Sequence, residues 1–299
     1  MSTVRWLALA AAFLLLLTAG GANAQDAGEG GGDADAGGGG DGGASAAVSP
    51  TSNALVAIRR SEPRSEVALS VGGAVSGRGR LTGLQRGALE LEGSWSPRPR
   101  WEVFATLNAA AFHSLVGTAP DGTVVTQNSI ALGSMTVGTT WVPISLPGGR
   151  FEGGFFLRFL LPTSTEVSGV HAVGVQPGLT FRGVATRWLA WFGGVSFRVS
   201  QTWGAVALPS PVGLRLADGT QTGMSAMLGI AFVPVAWLRV VAQCSGNAPF
   251  SRGNNTLTPG LAFRFVQGPL VAEIGSGLPL GGSVRTFSGF GKVSWRFGG

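Results

Sequence analysis

Few side chains in this chain could do chemistry. Its 299 residues include two histidines, His113 and His171, and one cysteine, Cys244. Lipid hydrolysis would need a serine nucleophile, a histidine base and a polar group to orient that base. His113 is followed by Ser114, but no orienting motif surrounds the pair, and both histidines fall beside predicted outer loops. No pair of histidines or cysteines has metal-ligand spacing, and no glycine run leads into the Lys-Ser or Lys-Thr of a phosphate loop. The residues thus point to no enzyme, no metal and no cofactor. What remains is charge at alternate positions: the acids Glu66, Glu90, Glu92, Glu102, Glu152 and Glu273, and the bases Arg158, Arg182, Arg198, Arg239, Arg264, Lys292 and Arg296. Such groups could select ions or small solutes along a pore, or pair with one another to fill a polar interior.

The elements that must position them are strands. Around Arg158 the sequence runs Phe155, Leu157, Phe159, Leu161 in one phase with the charge in the other. Glu90 and Glu92 alternate in the same way with Leu89, Leu91 and Trp95, Arg264 with Leu261, Phe263 and Phe265, and Lys292 with Val293 and Trp295. A period of two with apolar and charged phases marks a strand whose two faces meet different surroundings. The pattern predicts strands near 65–76, 84–95, 101–112, 127–141, 151–161 and 172–182. A second set follows near 188–201, 222–233, 237–245, 258–266, 270–276 and 284–297. The fourth changes phase between Leu132 and Met135, which predicts a bulge near Gly133.

The count is even, and most segments match the roughly 9–11 residues a tilted strand needs to cross a bilayer. The predicted connections also alternate. Short ones at 96–100, 143–150, 183–187, 234–236 and 267–269 separate longer ones at 77–83, 113–126, 162–171, 202–221, 245–257 and 277–283. Membrane barrels place short turns on the periplasmic side and long loops outside, whereas a soluble sandwich has no reason to keep that parity. Both chain ends then lie on the short-turn side.

Composition agrees. Charged residues are 12% of the chain and glycines number 50, while the mean hydropathy is +0.31. Residues 1–24 hold Arg5, an apolar run and Ala22-Asn23-Ala24, which reads as a secretory signal peptide. Residues 25–63 begin as a Gly/Ala/Asp-rich stretch too apolar-poor to fold, expected to be a disordered periplasmic tether. The barrel is expected over 64–297. A lone cysteine rules out an internal disulfide. The sequence pI near 11.3 could suggest nucleic acid, but the bases are scattered singly along strands, so no nucleic-acid partner is expected.

Aromatic residues gather beside the short turns: Trp95, Trp101, Trp141, Trp188, Trp191 and Trp237, with Trp295 and Phe297 at the chain end on the same side. Rings of this kind form belts at membrane interfaces. The terminal strand, closing on Trp295 and Phe297, resembles the closing strand of bacterial outer-membrane β-barrels. That resemblance implies a cell outer-membrane location in a Gram-negative bacterium, surrounding lipid, and recognition of this strand by the barrel-assembly machinery. Phe155–Thr165 (FFLRFLLPTST) and Thr258–Leu280 (TPGLAFRFVQGPLVAEIGSGLPL) further resemble the meta-pathway phenol-degradation family of outer-membrane proteins. This second resemblance implies uptake of apolar or aromatic compounds.

The expectation is therefore an all-β, transmembrane, antiparallel up-and-down barrel of about 12 strands. It would act as a narrow channel or uptake porin for a small solute. The alternative is a non-conducting structural or adhesive barrel whose exposed loops bind partners. The first three predicted strands supply only acids and the sixth to tenth only bases, so the two groups are expected on roughly opposite walls. Inward small residues such as Ser70, Gly72, Ala74, Thr106, Ser134, Gly154, Gly178 and Gly229 would leave room for a solute or relieve crowding.

Overall fold

A computed structural model describes residues 63–78, 81–118, 124–147, 150–163, 170–207, 214–216, 219–250, 255–278, 280 and 285–297. The expected signal peptide at 1–24, all but the last residue of the expected 25–63 tether, and Gly298 and Gly299 lie outside these. The chain forms β1 (Ser65–Arg78), β2 (Leu81–Arg98), β3 (Trp101–Thr118), β4 (Val124–Ala131), β5 (Met135–Ser145), β6 (Phe151–Leu161) and β7 (Val170–Thr186). It continues through β8 (Leu189–Ala207), β9 (Leu214–Leu216), β10 (Gly219–Val235), β11 (Leu238–Pro249), β12 (Thr256–Gln267), β13 (Leu270–Gly277) and β14 (Arg285–Phe297).

These make a closed antiparallel barrel with twelve wall positions. β14 pairs with β1 from Ser65↔Phe297 to Gly77↔Arg285, so the sheet has no edge at its seam. Two of the fourteen strands add no wall position. β9 pairs only with the end of β8, at Ala205↔Leu216 to Ala207↔Leu214. β4 and β5 share one position beside β3, β5 along Trp101–Leu107 and β4 along Ala111–Thr118.

Between β4 and β5 the ladder is interrupted at Leu132–Ser134 rather than bulged within one strand, which gives the phase change near Gly133 its physical form. Gly133 donates its N–H to the Asn108 carbonyl at 2.9 Å, and Asn108 donates to the Ser134 carbonyl at 3.3 Å. A side chain at Gly133 would place its Cβ 2.4 Å from the Asn108 Cβ, so only glycine lets the two backbones meet here.

Four of the five expected short connections are two-residue turns, and the fifth joins β5 to β6 through 146–150, of which 148–149 lie outside the described residues. In two of them the backbone is left-handed, at Arg100 (φ 77°) and Gly268 (φ 58°). Several long connections are shorter than their sequence suggests, because strands run on past the predicted ends: β3 reaches Thr118 and β8 spans 19 residues. Apolar alternation marks only the lipid-facing part of a strand. Beyond it the neighbouring backbone is still the nearest partner for each N–H and C=O, so pairing continues.

The usual sorting of side chains is inverted. Val67, Leu69, Leu91, Trp95, Phe155, Phe159, Phe197, Leu228, Ile230, Leu261 and Phe263 are exposed, while Glu66, Glu90, Glu102, Arg158, Arg264 and Glu273 are buried. A contiguous apolar exterior around a charged interior suits a chain whose solvent is hydrocarbon outside and polar groups inside.

Candidate functional site

The barrel interior gathers its charges by register. One rung crosses the seam as Arg296↔Glu66↔Ser94↔Phe104↔Gly138↔Arg158↔Gln176. Another runs Arg239↔Arg264↔Glu273↔Lys292↔Ser70↔Glu90↔Asn108. Strand order in the chain hides this closeness, since the last strand lies beside the first.

The acids of β1 to β3 are consequently partnered rather than facing a distant basic wall. Lys292 Nζ donates to Glu92 Oε2 at 2.7 Å, and Arg296 Nε lies 3.5 Å from Glu66 Oε2. Ser70 Oγ donates to Glu90 at 3.4 Å, and the Arg64 backbone N–H donates to Glu102 at 2.9 Å. Arg158, on β6, places its guanidinium 6.0 Å from the Phe104 ring and 5.8 Å from the Phe156 ring, within cation–π range of both. The expectation of two simple opposed walls is thus corrected by the seam: β14 brings two bases onto the acidic side.

The other side of the interior is more purely basic. Arg182 comes from β7, Arg198 from β8, Arg239 from β11 and Arg264 from β12. Arg239 and Arg264 occupy the same rung of adjacent strands, where like charges oppose each other. Arg264 is held by Glu273, Nε to Oε2 at 2.9 Å, with both side chains buried. Arg182 lies 3.9 Å from Glu152. At the short-turn end of this arc is a cavity of about 200 Å³, lined by Arg182, Arg187, Arg239 and Arg264 together with Ala190, Phe192, Ala231, Val241 and residues of the β7–β8 turn.

Four inward phenylalanines were not anticipated from the sequence. Each lies over a glycine on the next strand: Phe104 over Gly138, Phe156 over Gly178, Phe192 over Gly229 and Phe290 over Gly275. A Cβ at any of these glycines would stand 2.3–2.6 Å from the ring. Of the two roles expected for Gly178 and Gly229, room for a solute or relief of crowding, the rings that lie over them fit the second. The readable signal was phase: Phe104, Phe156 and Phe290 each stand two residues from Glu102, Arg158 and Lys292, in the charged phase. Phe192 and Phe290 continue with Ala231, Val241 and Ala262 as an apolar belt around the inner wall.

On the outer face the residues read as an aromatic girdle are all exposed: Trp95, Trp101, Trp141, Trp188, Trp191, Trp237, Trp295 and Phe297. Several stack on neighbouring strands, Trp141 on Phe155 with centroids 6.2 Å apart and Trp237 on Phe265 at 6.2 Å. Trp191 meets both Phe151 and Phe181, and Trp188 meets Phe232 edge-on. Trp101 uses its polar end, donating Nε1–H to Thr139 Oγ1 at 2.5 Å.

The histidines stand on separate strands, His113 in β3 opposite Arg86 and Ser129, His171 in β7 opposite Trp203.

No family model matches the chain, and no curated protein matches it. Solved structures do match in fold. The β-domain of the Bordetella autotransporter BrkA aligns with 79% of this chain and 100% of its own, at 12% identity and a TM-score of 0.53. An outer-membrane channel from Pseudomonas putida F1 aligns with 79% of this chain and 96% of its own, at 9% identity and a TM-score of 0.52. The fold is that of a bacterial outer-membrane β-barrel, and its apolar exterior belongs in that membrane. The likeness to the meta-pathway phenol-degradation family stays confined to the two short segments that carry it.

Proposed function

We propose that the barrel is a narrow channel or uptake porin for a small solute. The observation that carries this reading is the placement of the four inward phenylalanines. Each ring lies against a glycine of the neighbouring strand instead of reaching across the interior, so the largest apolar side chains inside line the wall. Glu92, Arg182, Arg198, Arg239 and Lys292, which are partly exposed, are then the groups a solute would pass, with Glu66, Glu90, Glu102, Arg158, Arg264 and Glu273 buried behind them. Twelve strands lie between the eight-stranded barrels filled by side chains and the open 16–18-stranded porins, which fits a narrow passage.

A second reading, a filled structural or adhesive barrel, is favoured by one observation: Glu102, Thr140, Phe192 and Val241 are 0–2% exposed. At their level little of the wall meets solvent. Planar-bilayer conductance and solute-dependent liposome swelling separate the two. Discrete conductance steps with swelling by small solutes are expected of the channel; neither signal from a protein that shows heat-modifiable migration sinks it and leaves the filled barrel.

A further inference from the structure

We infer that the cavity between β7, β8, β10, β11 and β12 is a binding site for a small organic carboxylate with an apolar body. This rests on the channel reading and names the class of solute. The cavity brings Arg182, Arg239 and Arg264 together over a surface of Phe192, Ala231 and Val241, and no acidic side chain lines it. The guanidinium groups act on one another: Arg182 feels both Arg239 and Arg264, and Arg239 feels Arg264. Glu273 holds Arg264 at its Nε, 2.9 Å away, and Glu152 lies 3.9 Å from Arg182, which leaves Arg239 facing Arg264.

Arg239 is the informative member. Among the described residues it makes no hydrogen bond or ion pair, and its Nε is buried without a partner. A half-buried guanidinium opposite a second one is unfavourable unless an anion joins them. A ligand carboxylate does so well, because its two oxygens accept from the planar guanidinium fork in parallel.

The apolar side decides the rest of the ligand. Phe192, Ala231 and Val241 lie on the apolar side of the cavity, and a small, fully hydrated anion would lose water against them with nothing in return. A ring or short chain behind the carboxylate would instead gain from that contact. At about 200 Å³ the cavity is smaller than the roughly 300–1,000 Å³ typical of drug-sized ligands, which points to a single ring or a chain of a few carbons.

Isothermal titration calorimetry on the full-length protein in a non-ionic detergent tests this with benzoate as probe. Benzoate should bind at one site, with benzyl alcohol and inorganic phosphate each weaker by about tenfold or more, the scale of a lost charge-assisted bond or of lost apolar contact. Arg239→Gln should weaken benzoate by about tenfold or more while keeping heat-modifiable migration. Absence of benzoate binding, equal binding of benzyl alcohol, phosphate binding as tight as benzoate, or an unchanged affinity in R239Q overturns the assignment. If R239Q does not fold, the three probes on the unaltered protein decide alone. The two readings fail separately: a barrel that conducts without binding benzoate loses this site, whereas one that binds benzoate without conducting loses the channel.

Discussion

The interior wall from β14 through β3 and the one from β7 through β12 hold charge in opposite ways. On the first, each carboxylate has a partner supplied by a neighbouring strand or by backbone: Lys292 at Glu92, Arg296 at Glu66, Ser70 at Glu90 and the Arg64 N–H at Glu102. On the second, Arg239 stands opposite Arg264 beside the cavity, without an acid of its own among the described residues. A wall whose charges are mutually satisfied is built to hold shape. A wall that sets like charges side by side, with fewer acids than bases, gains from any anion that joins them.

The sharpest way to break this contrast is to remove the acid on β13 that holds Arg264 of the basic wall. Glu273→Gln should destabilise the barrel by about 3–5 kcal/mol, because Arg264 would be left buried with its charge unopposed. Urea or heat titration of the folded, heat-modifiable band reads the loss, and an unchanged midpoint would mean that Arg264 is already neutralised by solvent. A smaller effect follows from the seats of the rings. Gly229→Ala forces the Phe192 ring to move from a contact of 2.3 Å and should cost about 1–3 kcal/mol. Gly93→Ala, on the acidic side and with nothing within 4 Å of its added Cβ, should stay within about 0.5 kcal/mol. Equal effects at both would show that the interior phenylalanines are loosely held. The smallest effect concerns selectivity. Glu90→Gln with Glu92→Gln removes two carboxylates from the paired wall and should lower the cation-to-anion permeability ratio about two- to fivefold, a change of roughly 0.4–1 kcal/mol. Reversal potentials in a salt gradient measure it, and an unmoved ratio would make both residues structural filling.

Much of this was legible before any coordinates. Alternation around Arg158 or Arg264 tells which face meets lipid, since a charge in one phase and Leu or Phe in the other admit only one assignment. The alternation of short and long connections pointed to up-and-down strand order. Register, however, is set by turn geometry and by slips such as those between Leu89 and Glu90, Trp141 and Ile144, and Phe232 and Val235, none of which alternation encodes. Hence Lys292 and Glu92 could be assigned to the interior from their phase, but not to each other. The glycine seats were unreadable for the same reason, because room for a solute and relief of crowding look alike at Gly229 until the strand carrying Phe192 is laid beside it.

The seam between β14 and β1 bears on how the molecule is made. Lys292 and Glu92 are 200 residues apart in the chain, and the seam pairs Ser65 with Phe297, among the most distant partners the fold contains. Pairings of such separation form late, after loop entropy has been lost elsewhere. A slip of one residue at that moment would turn Lys292 and Arg296 toward lipid, at a cost that falls from about 2–4 kcal/mol near the bilayer midplane to about 0–1 kcal/mol near the interface, where Arg296 stands between Trp295 and Phe297. Closure in register keeps both cations inside, against Glu92 and Glu66.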